Sequence, residues 1–101
     1  MGKQRIADYI AEILAARGFD TVFTVVGGGA MHLNDAFGAS KQLKDIHHHH
    51  EQAAAMAAEG YARVTGKPAI ICVTSGPGGT NAITGVLGAY QDSVPMLVIS
   101  G

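Results

Sequence analysis

Residues 46–66 read IHHHHEQAAAMAAEGYARVTG, a short strand running into an alanine-rich helix with Glu51 at the junction. If 43–49 is the strand and 52–64 the helix, Glu51 stands at the strand's carboxyl end and in the first helical turn. Ligand crevices of open α/β sheets form at that edge. An acid there also complements the helix dipole, which is worth about 0.3–1 kcal/mol without any ligand. The segment by itself leaves both roles open. Its alanines propagate helix and permit close backbone packing, and Gly66, Lys67 and Pro68 end the run.

Working outward, helical stripes alternate with apolar runs. Over 3–17, Ile6, Ile10, Ile13 and Leu14 recur at helical spacing opposite Gln4, Asp8 and Glu12, and Gly18 supplies a stop. Residues 21–26 (TVFTVV) carry apolar side chains on both faces, as a strand covered on both sides does. After Gly27, Gly28 and Gly29, the stretch 30–37 reads as a short helix closed by Gly38. Downstream come a strand at 69–73, a tight loop at 74–79 (TSGPGG), a helix at 80–91 and a last strand at 95–100. That helix contains Gly85 and Gly88, each costing about 1 kcal/mol in a helix interior, so another backbone is expected close on their face.

This alternation predicts an α/β fold, a doubly wound, flavodoxin-like parallel sheet of about four strands with helices on both faces and right-handed crossovers. No helix follows the last strand, so 1–101 is expected to be part of a larger domain, incomplete at its C-terminus.

Composition narrows the function classes. The 101 residues are 48% hydrophobic and 15% charged, which excludes disorder. A net charge of −1 gives no electrostatic reason for a nucleic acid or an anionic membrane as partner. Cys72 lies in an apolar run without a disulfide mate and reads as a buried structural thiol in a reducing compartment. The N-terminus mixes charge through its apolar residues, unlike a signal peptide or a membrane span, so a cytoplasmic location is expected.

The glycine loops match no nucleotide fingerprint. In the loop at 27–32, His32 takes the place of the third small residue of a dinucleotide motif, and neither loop has the Lys and Ser or Thr of a P-loop. Both still let backbone come close to a flat ligand, with plain turn chemistry as the alternative. In a strand, His47 and His49 face opposite ways from His48 and His50, which argues against one metal site. His49 and His50 are expected beside Glu51. The loops after the strands at 21, 43 and 69 emerge at one sheet edge, so Gly27 to Gly29, Glu51 and Ser75 to Gly78 are expected around one crevice.

Residues 49–69, HHEQAAAMAAEGYARVTGKPA, followed at 72–101 by CVTSGPGGTNAITGVLGAYQDSVPMLVISG, strongly resemble the N-terminal pyrimidine-binding domain of thiamine diphosphate enzymes of the acetolactate synthase group. The resemblance implies that Glu51 is catalytic, hydrogen-bonding N1′ of the cofactor's aminopyrimidine so that the imino tautomer takes the proton from the thiazolium C2. It implies a 2-keto acid as substrate, decarboxylated and its carbon unit passed to a second carbonyl. Pro77 and Asn81 match positions near the pyrimidine, Gly28 and Gly29 the loop facing the reaction centre, and His50 the glutamate's usual neighbour.

Thiamine diphosphate and Mg²⁺ are the implied cofactors. Both require a diphosphate-binding domain, from a second subunit of a homo-oligomer, whose Gly-Asp-Gly segment this chain lacks. The 101 residues alone are therefore expected to be inactive. Gly27 in place of the usual proline, together with His32, Leu33 and Asn34, leaves other carboligases or decarboxylases of the group open. Two rivals remain: a noncatalytic or engineered minimal domain self-associating through the Gly85/Gly88 helix, and a histidine-cluster metal binder.

Overall fold

The computed structural model describes residues 2–101. In chain order the elements are α1 (Ile6–Ala16), β1 (Thr21–Thr24), a 3-10 turn (Gly28–Ala30), α2 (Met31–Ala39), β2 (Lys44–His47), α3 (Glu51–Thr65), β3 (Ala69–Val73), α4 (Pro77–Asn81), α5 (Ile83–Gln91) and β4 (Met96–Ser100). The strands form one parallel sheet in the order β2-β1-β3-β4. Strand order reverses between β1 and β3, so the loops at 27–29 and 74–76 flank the point where ligands enter such sheets.

The strand side chains sort the helices into two layers. Val22, Ile70 and Cys72 point to α1 and α2, meeting Ala7, Ala11, Ala36 and Phe37. Phe23, Ile71 and Val73 point the other way, to Ala54, Ala55, Ala58 and Ala62 of α3. Every residue of β3 is fully buried, as a central strand covered on both sides requires. By contrast β2 is an edge strand whose Lys44, Asp45 and His47 keep it from pairing with another chain.

The doubly wound parallel sheet agrees with the sequence reading, but several boundaries move. The buried line of α1 is Ala7 and Ala11 with Ile10 and Leu14 beside it, while Ile6 is 78% exposed. Small side chains face inward there because Phe37 of α2 fills the space. Helix α2 runs through Gly38, and the chain turns at Ser40, whose Oγ accepts from the backbone N–H groups of Gln42 and Leu43 at 3.3 and 3.2 Å. The expected helix at 80–91 is two helices, α4 and α5, meeting at Ala82.

Gly85 and Gly88 are explained by α3. A Cβ at Gly85 would overlap that of Ala55 and sit 3.0 Å from Ala55 C and Met56 N, and one at Gly88 would sit 2.8 Å from Glu59 Oε1. The close backbone expected from these glycines is thus in the same chain. The glycine face of α5 is therefore filled within the chain, while Ile83, Leu87 and Tyr90 of the same helix stay exposed.

At the opposite end of the sheet, Lys67 Nζ donates to Asp20 Oδ2 at 2.7 Å and the Tyr61 hydroxyl donates to Oδ1. Together they hold the Asp20 carboxyl down at about 2. An unfolded aspartate titrates near 3.9, so the stabilisation is complete above about pH 4 and disappears as pH falls through about 2. Both groups are largely exposed, so Lys67→Met is expected to cost well under about 1 kcal/mol at pH 7. Urea midpoints of the variant and the parent should converge near pH 2, and a gap of equal size at both pH values would contradict this account.

Candidate functional site

Helix α3 begins where β2 has ended and the chain has passed His48 and His49. His50 takes the N-cap position, with extended backbone, and its Nδ1 accepts the Gln52 N–H at 3.0 Å. The capping role that a first-turn acid can fill therefore falls to His50. Its bonding leaves Nε2 as the ring's donor.

Glu51, the first helical residue, is 9% exposed. Its Oε1 accepts from Asn81 Nδ2 at 3.2 Å. Asn81 reaches it because α4 is a single short helix that opens at Pro77 and ends before Ala82. On the other side Oε2 faces Gly78, where a Cβ would come within 3.3 Å. The carboxylate is thus gripped through one oxygen, while the other lies against Gly78, whose side-chain position is taken up by the Thr74 methyl group.

The glycine loop after β1 joins this place through Thr74, the residue following β3. Gly29 N–H donates to Thr74 Oγ1 at 3.0 Å. Cβ atoms at Gly27 and Gly78 would lie 2.5 Å from Thr74 Cβ and 2.8 Å from Thr74 Cγ2. The far end of the loop is held by Asn34, whose Oδ1 accepts from Gly27 N–H at 3.2 Å. Beneath it the Thr24 hydroxyl donates to Cys72 O at 2.7 Å. Gly28 alone has open space around the position of a side chain, and with Val26 and Met31 it borders a cleft of about 380 Å³.

The residues singled out in the sequence therefore fall into distinct groups. Glu51 and Asn81 are in contact, and Gly29 connects to them through Thr74 and Gly78. Gly28 and Pro77 are exposed at the same carboxyl edge. His50 is an exposed cap. Thr74 was missed, because within the run TSGPGG at 74–79 nothing local sets it apart from Ser75.

The histidine run disperses. His47 Nε2 pairs with Asp45 Oδ2 at 3.1 Å, and the ring of His48 lies 5.8 Å from that of Phe23. Among the described residues no three His, Cys, Asp or Glu side chains come together to hold a metal ion. No described helix is long and apolar enough to cross a membrane.

Cys72 is fully buried, and burial, helped by the charge of Asp45, pushes its thiol up to about 11. At neutral pH it stays protonated, and only the thiolate is a nucleophile. A thiol-specific disulfide reagent is expected to leave the native chain unlabelled and to modify it fully in denaturant. Labelling of native protein at the rate of a free cysteine would contradict the burial.

Comparison with known proteins gives a consistent result. The family model described as thiamine pyrophosphate enzyme, N-terminal TPP binding domain, matches residues 4–101. The chain is 48% identical over 101 residues to the acetolactate synthase large subunit of Haemophilus influenzae, covering 100% of this chain and 18% of that protein. It is 44% identical over 95 residues to the chloroplastic acetolactate synthase of Arabidopsis thaliana, covering 94% of this chain and 14% of that protein. With the large subunit of Buchnera aphidicola from Acyrthosiphon pisum the figures are 45% over 95 residues, 94% and 17%. The chain thus spans less than a fifth of the length of these relatives.

Proposed function

Because this chain belongs to the thiamine pyrophosphate enzymes, matching their N-terminal TPP binding domain, we propose that it supplies the glutamate side of a thiamine diphosphate site in an acetolactate synthase-like enzyme acting on 2-keto acids. The observation behind this reading is the setting of Glu51. It is buried at the carboxyl edge of the sheet, with one oxygen held by Asn81 and the other against the bare backbone of Gly78 at the N-terminal turn of α4. That is the arrangement a carboxylate needs to share a proton with a ring nitrogen of a flat group inserted against α4.

Thiamine diphosphate, when bound, supplies the carbon centre that adds to the keto acid carbonyl and takes up the electrons released on decarboxylation. This chain's residues orient the cofactor and handle one proton. Glu51 would exchange that proton with the aminopyrimidine nitrogen, and Asn81 fixes the carboxylate plane. Pro77 and Asn81 would border the ring. Gly28 and Gly29 would bring bare backbone toward the reaction centre, and His50 offers Nε2–H at the entrance.

On the same family reading we assign the metal and the diphosphate to a diphosphate-binding domain of a second subunit, and expect this chain by itself to be inactive. A homo-oligomer is part of the proposal. It is supported by an apolar groove of about 470 Å³ formed by Ile83, Leu87, Tyr90 and Val98.

The test is calorimetric titration with thiamine diphosphate and Mg²⁺, first of this chain and then of this chain mixed with a separately produced diphosphate-binding domain. Saturable heat is expected only in the mixture. Absence of binding in both would leave a folded domain without the proposed role.

A further inference from the structure

We propose that Thr74 is a positioning residue that clamps the glycine loop at 27–29 to the N-terminal turn of α4, and so sets the distance between that loop and Glu51. The inference rests on the functional reading above and adds to it a residue outside the hydrogen-bonded Glu51–Asn81 pair. Thr74 stands at the end of the fully buried central strand, so its backbone is the best-fixed point on the carboxyl edge. Its side chain meets three glycines in two segments. The hydroxyl accepts from Gly29 N–H at 3.0 Å. Its Cβ fills the place of a side chain at Gly27, and its methyl group fills the place of one at Gly78.

Gly78 is in turn the residue against Glu51 Oε2. Contact therefore runs unbroken from the loop at 27–29 through Thr74 to the carboxylate. Three glycines surrounding one threonine is more than turn formation needs, since Gly27 has ordinary extended backbone, with φ at −164°, and carries no conformational demand of its own. The glycines are there to let the threonine in. The loop follows β1 whereas the carboxylate opens α3, so their separation depends on side chains that bridge the two, and misplacement of a reacting group by about 1 Å costs about 100-fold in rate.

The hydroxyl and the methyl group can be separated by substitution. Thr74→Val keeps the shape against Gly27 and Gly78 but cannot accept from Gly29. Thr74→Ser keeps the acceptor and loses the methyl. Amide hydrogen exchange of Gly29, read by NMR on this chain, is expected to accelerate about 5-fold or more in Thr74→Val, as losing one hydrogen bond of about 1 kcal/mol implies, and to stay near the parent rate in Thr74→Ser. In the enzyme assembled with its diphosphate-binding domain, Thr74→Val should lower kcat about 10-fold or more with the thermal midpoint nearly unchanged, and Thr74→Ser should restore most of it.

An unchanged Gly29 exchange rate in Thr74→Val overturns the clamp. So does a kcat loss as large in Thr74→Ser as in Thr74→Val, because a merely structural threonine would behave that way. If the parent enzyme shows no thiamine diphosphate-dependent turnover, the functional reading falls and the catalytic consequence falls with it. The Gly29 exchange rate distinguishes that failure from failure of the clamp itself.

Discussion

Gly85→Val in α5 is expected to destabilise the chain by about 3 kcal/mol or more, a large part of the ordinary stability of a small domain, about 5–15 kcal/mol. The reason is which atoms stand in the way. A Cβ at Gly85 would overlap the Cβ of Ala55 and lie 3.0 Å from Ala55 C and Met56 N. A flexible side chain could turn aside, but backbone atoms of α3 cannot without moving the helix. Ala54, Ala55, Ala58 and Ala62 bury that helix against the sheet. Overpacking of this kind costs about 1–3 kcal/mol for a small intrusion. The gain from replacing a helical glycine, about 1 kcal/mol for alanine and less for a β-branched residue, does not offset it.

Gly60 gives the control, since it also lies in the interior of α3 but a Cβ there meets nothing within 4 Å. Gly60→Ala is expected to stabilise by about 0.5–1 kcal/mol. Urea midpoints should therefore move in opposite directions for the two glycines. Equal midpoints for Gly85→Val and the parent would mean that α3 and α5 do not pack as described.

The same pair shows what the sequence could and could not say. The two glycines of α5 signalled a close neighbour because their combined intrinsic cost called for packing to offset it, whereas the lone Gly60 of α3 has none. Which chain supplies the neighbour was not legible, because α3 and a second copy are equivalent as far as local pattern goes. The strands were legible where burial is two-sided, as in 69–73, and least legible at β2, an edge strand whose composition is set by solvent and by the need to avoid pairing.

For α1, weighting large aliphatics placed Ile6 on the inner face, whereas the space left by Phe37 admits only alanines. That is a property of the partner helix. At the site, Glu51 stood out because it lies at the carboxyl end of a strand, where ligand crevices of such sheets form, and Asn81 through the resemblance. Thr74 did not stand out, because its importance lies in the three glycines around it, which come from separate parts of the chain.

Glu51→Gln is expected to lower thiamine diphosphate-dependent turnover of the assembled enzyme by about 100-fold to 10,000-fold, the range typical of a residue that moves a proton in the transition state. It should do so while leaving the fold intact. The amide is nearly isosteric with the carboxylate, and its carbonyl oxygen can still accept from Asn81 Nδ2, so the bond seen at 3.2 Å survives. Helix α3 keeps its cap as well, since His50 provides it. What the amide cannot do is accept and return a proton near neutral pH. The loss of a first-turn charge from the helix dipole costs about 0.3–1 kcal/mol at most, too little to account for a collapse in activity.

Asn81→Ala separates orientation from proton transfer. It leaves the Glu51 carboxyl group in place but removes its only hydrogen-bonding side chain among the described residues. A smaller loss in kcat, about 10-fold, is expected if Asn81 fixes only the carboxylate plane. Turnover of Glu51→Gln at the parent rate would remove the proton-handling role altogether. A drop in Asn81→Ala as deep as in Glu51→Gln would instead move the essential chemistry from the carboxylate to the pair.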